Sequence, residues 1–215
     1  SMLILFKYFG KYHVNNLQAI IVNYFTAGSL ALFIANADGI PIVFQHIILS
    51  PYMVPSLIIG LLFIITFNLL AYGTQKVGIA ISTVANKMSM IIPVIIGIYL
   101  FKEASGIIKL IGIILAISAI YMTSTKGGKL SFDKKYVPII LLIFLGQGMA
   151  DGTLSWAQKF TITSDNTPLF FACTFLSASI LGSLFLLYEL VVKKIRFQPK
   201  SVLWGIALGI PNYLT

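Results

Sequence analysis

The sequence predicts an all-α polytopic membrane protein built from two inverted five-helix repeats, the second incomplete in this chain. Three observations carry that reading: the composition, the length of the apolar blocks, and a hydropathy rhythm that returns after 152 residues. The chain has 215 residues, 58% of them hydrophobic and only 10% charged, whereas a soluble domain carries roughly 25% charged residues. A net charge of +9 would suggest nucleic acid in a soluble protein. Here the basic residues cluster between apolar blocks, where membrane topology accounts for them, so no nucleic-acid partner is expected. The single cysteine, Cys173, excludes an internal disulfide.

A spanning helix needs about 20 apolar residues. Ser1–Phe9 is apolar but would reach only ~14 Å as a helix, about half the hydrocarbon core, and reads as a clipped first helix. Blocks at 16–37, 53–75, 78–101, 105–123, 137–159 and 167–191 are long enough to span as helices two to seven. They are apolar on both parities, unlike the short alternating strands of a membrane barrel. Ser201–Thr215 ends while still apolar and reads as a clipped eighth helix. The run at 41–52 is bounded by prolines, is too short to span, and reads as an interfacial linker.

Shifting the chain by 152 residues lays Lys7 on Lys159 and Leu17 on Leu169, where the next apolar block opens. Residues 1–123 then form the first repeat, 124–136 a basic link, and 137–215 the second repeat, with helices nine and ten absent. Five helices separate the copies, and five is odd, so the second copy is expected upside down. Loop charge agrees. The link at 36–52 holds no Lys or Arg, whereas its counterpart holds Lys193, Lys194, Arg196 and Lys200. The lysine-rich loops, with Lys11, Lys76 and the link at 124–136, are expected in the cytoplasm of an inner (cytoplasmic) membrane.

A charge inside hydrocarbon costs about 2.5–3.5 kcal/mol on insertion scales, so intramembrane charges are candidates for function. Asp151 lies ~14 residues into its block and Lys87 ~9 residues into its own, a depth difference of ~7 Å that a lysine side chain can close. Gln147, Asp151, Ser155 and Gln158 form one helical stripe; Ser82, Asn86, Ser89, Pro93 and Gly97 form a second with Lys87 at its edge; Asn68, Tyr72 and Gln75 form a third. Lipid offers such groups no partner, so the stripes are expected to line a polar cavity. The structural alternatives are an Asp–Lys pair that only locks two helices together and a Ser/Asn stripe that only glues them. Gly112, Ala116 and Ala119 read as packing, and Trp156 and Tyr99 as interface anchors. His13 and His46 lie in links without metal-ligand spacing, and no Ser–His–Asp, P-loop or zinc signature is present. Neither a metal nor a cofactor is expected.

The stretch AYGTQKVGIAISTVANKMSMIIPVIIGIYLFKEASGIIKLIGIILAISAIYM, residues 71–122, resembles the drug/metabolite transporter superfamily, EamA-like branch. The resemblance rests on a short loop with small residues after the third helix, then Pro93, Phe101-Lys102-Glu103 and Gly112. It implies ten helices in two inverted halves around a central cavity, and transport of small organic metabolites, often amino acids or related compounds. It places Asn68, Asn86, Lys87 and Asp151 near that cavity and makes Glu103 a structural acid of the turn between helices four and five. The family is usually drawn with both ends in the cytoplasm, the reverse of what the loop charges indicate.

The expectation is therefore a secondary transporter rather than an enzyme, working by alternating access at a midplane site with Asp151 and Lys87 binding a charged or zwitterionic metabolite. Coupling to protons through Asp151, or exchange, would fit a carboxyl at that depth. The alternative class is a membrane-embedded binding protein or receptor, or a lipid-modifying enzyme. The enzyme would want a histidine or paired acids at headgroup level, and none is visible.

Overall fold

A computed structural model describes residues 2–100, 102, 106–107, 111–115, 118, 122, 125–126, 129–130 and 133–214. Helices α1 (Met2–Lys11), α2 (Asn16–Ala37), the short α3 (Phe44–Ile48), α4 (Met53–Lys76), α5 (Ile79–Met88) and α6 (Ile91–Tyr99) come first. A two-residue antiparallel ladder joins Thr125–Lys126 to Lys129–Leu130. Helices α7 (Val137–Phe160), α8 (Thr167–Val192) and α9 (Pro199–Leu214) follow. Five of the helical stretches, 16–37, 53–76, 79–99, 134–160 and 167–192, are long and apolar enough to cross a membrane. Phe33, Val54, Leu184 and Leu203 each point more than half their surface outward, and a bilayer accepts such a surface where water does not. The protein is an all-α membrane protein. The fifth predicted helix and Glu103 lie largely or wholly outside the described residues.

Local chemistry sets the helix ends. Asn15 caps α2 by accepting from the Gln18 amide at 3.1 Å. Gly39, at φ +72, ends α2 in a left-handed turn with Ile40 N–H bonded to Ala35 O. Proline at the first turn opens α7 and α8.

The block at 78–101 departs from a single helix: it is interrupted at Ser89–Met90. Pro93 is the cause. It has no N–H to give, and its ring opposes the carbonyl four residues back, on Ser89. The bonds around the break shorten to three-residue spans, Met90 N–H to Lys87 O and Ile92 N–H to Ser89 O. The turn falls two residues after Lys87.

Helices in lipid gain little from apolar burial and depend on close packing. Accordingly α2 meets α8 closely where each carries glycine: a Cβ on Gly28 would meet Leu176, and one on Gly182 would meet Ile21 of α2 and Ile64 of α4. Ser179 Oγ donates to Ile21 O across that contact at 3.2 Å. An aromatic cluster of Tyr24, Phe63, Phe67 and Phe175 fills the centre, with ring centroids 5.4–6.3 Å apart. At one end of the bundle Gln198 N–H donates to Gln18 Oε1, Asn15 N–H donates to Gln198 Oε1, and Lys200 Nζ donates to Tyr12 O. The α1–α2 link and the lysine-rich α8–α9 link therefore share one face, as their charge predicts.

Candidate functional site

Asp151 sits near the middle of α7, flanked by glycines that let neighbouring helices close in. A Cβ on Gly148 would lie 2.2 Å from Ile92 Cδ1 of α6, and one on Gly146 would lie 2.5 Å from Thr66 Oγ1 of α4. The stretch Gly146–Gly152 is thus wedged between α4 and α6, which aims the intervening Gln147 and Asp151 along a shared seam with α5.

On that seam Gln147 Nε2 donates to Asp151 Oδ1 at 2.9 Å, and Asn86 Nδ2 of α5 donates to Gln147 Oε1 at 3.1 Å. The direction of the relay follows from chemistry. An ionised carboxylate only accepts, so Gln147 presents its NH₂ to Asp151 and keeps its oxygen for Asn86. Lys87, the next residue after Asn86, lines the same space as Asp151. Lys87 and Asp151 form no direct ion pair; among the described residues those pairs are Lys135–Asp133 and Lys193–Glu189. Two opposite charges thus face one space without closing on each other.

That space is a cavity of about 1010 Å³. Asn86, Lys87, Gln147 and Asp151 supply its polar side, and Phe63, Phe67, Phe171 and Phe175 an apolar wall. Thr167, Pro168 and Asn212 line it as well, and α1 contributes Leu3–Phe6. Asn212 Nδ2 in turn donates to the buried Asn23 Oδ1 at 3.1 Å.

Of the candidates read from sequence, Asp151, Lys87, Asn86 and Gln147 come together here. Ser89 is buried at the helix break and gives its hydroxyl to Asn86 O. Ser155 binds back to Asp151 O at 2.9 Å within its own helix. Asn68 and Tyr72 are not part of the cavity lining: Asn68 Nδ2 bonds Ile64 O at 2.7 Å, and Tyr72 is 40% exposed on the outer surface. Gln75, from the same stripe, holds α1 instead, donating to Phe6 O at 3.2 Å and to Asn16 Oδ1 at 2.8 Å. Gly112 meets no atom within 4 Å among the described residues. The phenylalanine wall and Asn212 were not picked out from sequence. Phenylalanine in an apolar helix carries no signal of its own, whereas Asn212 beside Pro211 was a polar break in an apolar run. The described residues hold no group of three or more His, Cys, Asp or Glu able to bind a metal ion.

No family model matches the chain. It is 27% identical over 199 residues to an uncharacterized protein of Haemophilus influenzae (strain ATCC 51907 / DSM 11121 / KW20 / Rd). The match covers 91% of this chain and 66% of that protein, so the chain spans just under two thirds of its relative's length. No solved structure matches.

Proposed function

We propose that this protein is a secondary transporter of the inner membrane that moves a small organic metabolite by alternating access, with Asp151 and Lys87 as its polar anchors. The observation that carries the reading is the pair of opposite, unclosed charges on one cavity wall, set against a phenylalanine wall and beside an interrupted helix. A site of that kind suits a charged or zwitterionic molecule with an apolar body: an ammonium toward Asp151, an acid toward Lys87, and the body against Phe63, Phe67, Phe171 and Phe175. Broken helices near the midplane are where transporters hold substrate, because freed backbone groups and convergent side chains can replace water. Asp151 supplies a group that can carry a proton through the cycle.

Packing supports the inverted-repeat reading, the arrangement that a resemblance to the EamA-like transporters would imply. A Cβ on Gly60 of α4 would meet Ser177 Oγ and Thr174 O of α8; one on Gly209 of α9 would meet Thr26 Cβ and Asn23 O of α2. The shift of 152 carries residues 22 and 25 onto 174 and 177, one position from this second pair, and residue 60 onto 212, three positions from Gly209. The third helix of one half thus rests on the second helix of the other in both directions, as a two-fold relation requires.

Gradient-driven uptake in proteoliposomes of the full-length protein tests the reading. Saturable accumulation of a metabolite, abolished by dissipating the gradient, is expected. Specific binding or turnover without any vectorial flux would favour a receptor or an enzyme instead.

A further inference from the structure

We infer that the lysine-rich face carries a second, anion-binding site, built for a phosphate group and separate from the central cavity. This site does not depend on the transport reading.

A cavity of about 1360 Å³ lies between the C-terminal ends of α1 and α4 and the start of α5. Lys7, Lys11 and Lys76 line it, with His13 nearby on the rim. Lys7 and Lys11 stand one turn apart on the same face of α1. None of the five acids among the described residues lines this space. Three other cations of the same face have partners, Lys193 with Glu189 at 2.9 Å, Lys135 with Asp133 at 2.9 Å, and Lys200 with Tyr12 O, whereas Lys134, Lys194 and Arg196 are spread along the links and line no such hollow. Among the described residues no carboxylate matches Lys7, Lys11 or Lys76. Positive-inside topology explains lysines on a face; here three of them line one hollow, Lys11 Nζ lying over the Tyr8 and Tyr12 rings at 5.9 and 5.7 Å, and an anion in the hollow would offset their like charge.

Two further features point the same way. The N-terminus of the ten-residue helix α5 opens into the cavity: Gly78 precedes it at φ +120 with no side-chain cap, and the first intrahelical bond is Ser82 N–H to Gly78 O. Val77 and Gly78 N–H donate to Gly73 O, which leaves the amides of Ile79, Ala80 and Ile81 to face a ligand, and the helix dipole favours a negative group there. Thr74, which also lines the cavity, is 3% exposed, and its hydroxyl has no hydrogen-bond partner. Ammonium groups, a helix N-terminus and a spare hydroxyl form a donor set matched to phosphate oxygens. The shared chemistry belongs equally to a soluble phosphate compound and to an anionic phospholipid headgroup at this membrane surface.

The test uses the purified full-length protein in a zwitterionic detergent. Inorganic phosphate is titrated by calorimetry, and retention of phosphatidylglycerol against phosphatidylcholine is read by native mass spectrometry. Binding in the first arm marks a soluble ligand, and selective retention in the second marks a headgroup; either supports the site. The triple variant Lys7→Gln, Lys11→Gln, Lys76→Gln should lose about tenfold or more in affinity, on the scale of lost hydrogen bonds to charged groups. Removing as many charges elsewhere on the same face, by Lys135→Gln, Lys193→Gln and Lys194→Gln, should leave binding unchanged. If the triple variant does not fold, Lys76→Gln and its rescue by Lys76→Arg carry the comparison. Binding in neither arm, or equal loss in both sets of variants, would overturn the proposal.

Discussion

Gln147, one helical turn before Asp151, donates its side-chain amide to the Asp151 carboxylate at 2.9 Å and leaves its oxygen to Asn86 on another helix. The glutamine therefore fixes the acid's position and ties α7 to α5. Replacing Gln147 with Leu should strand both partners in a low-dielectric setting. A loss of about 1–3 kcal/mol in stability is expected, read as a lower melting temperature in detergent. Gln147→Glu should cost more at neutral pH, since it sets a second carboxylate beside Asp151. A melting temperature unchanged by Gln147→Leu would contradict the relay.

Glycine substitutions should separate contacts that can yield from those that cannot. A Cβ on Gly60 would stand 2.9 Å from Thr174 O and 3.0 Å from Ala178 N, and one on Gly209 would stand 2.7 Å from Asn23 O. Those are backbone atoms, so Gly60→Ala and Gly209→Ala are expected to lower stability by about 1–3 kcal/mol. The three atoms nearest a Cβ on Gly148 all belong to the Ile92 side chain, so Ile92→Ala should rescue Gly148→Ala. Gly112→Ala should be silent. Thermal denaturation of the five variants checks the order.

The interruption at Ser89–Met90 should depend on Pro93. Pro93→Ala restores a backbone donor and removes the ring clash at Ser89 O. Slower amide exchange across 89–93 is expected, together with reduced flux if the break serves the transport cycle. Unchanged exchange would assign the break to packing against α7 instead.

Membrane orientation can be read with thiol reagents. In a Cys173→Ala background, Asp165→Cys should label from outside intact cells, and Phe197→Cys should label only after permeabilisation. Both positions are exposed and lie at opposite ends of α8. The reverse pattern would turn the topology over and put the lysine-rich face outside.

The spanning helices were legible because bilayer thickness dictates block length. The predicted 53–75, 137–159 and 167–191 became Met53–Lys76, Val137–Phe160 and Thr167–Val192. The polar side of the cavity was legible for a related reason: Asp151, Lys87, Asn86 and Gln147 are costly in lipid, and their spacing set them on defined faces. The break at Ser89–Met90 was hidden because hydropathy runs on through Ile91 and Ile92, and proline occurs in membrane helices without stopping them. Asn68 and Tyr72 misled because a stripe fixes the relative placement of side chains and not what the helix face meets. Asn68 satisfied itself on Ile64 O, and Tyr72 turned outward. The phenylalanine wall follows from tertiary packing, to which a single apolar helix gives no clue.

The most direct measurement is flux through the double variant Asp151→Asn, Lys87→Met, with stability measured beside it and beside each single change. Neutralising one member leaves the other charge unmatched on the cavity wall and should lower stability, whereas neutralising both can be nearly neutral. The account predicts that the double variant folds with near-normal stability and transports nothing above the empty-vesicle background. A double variant with normal stability and normal flux would reduce the pair to a structural lock and contradict the proposed site.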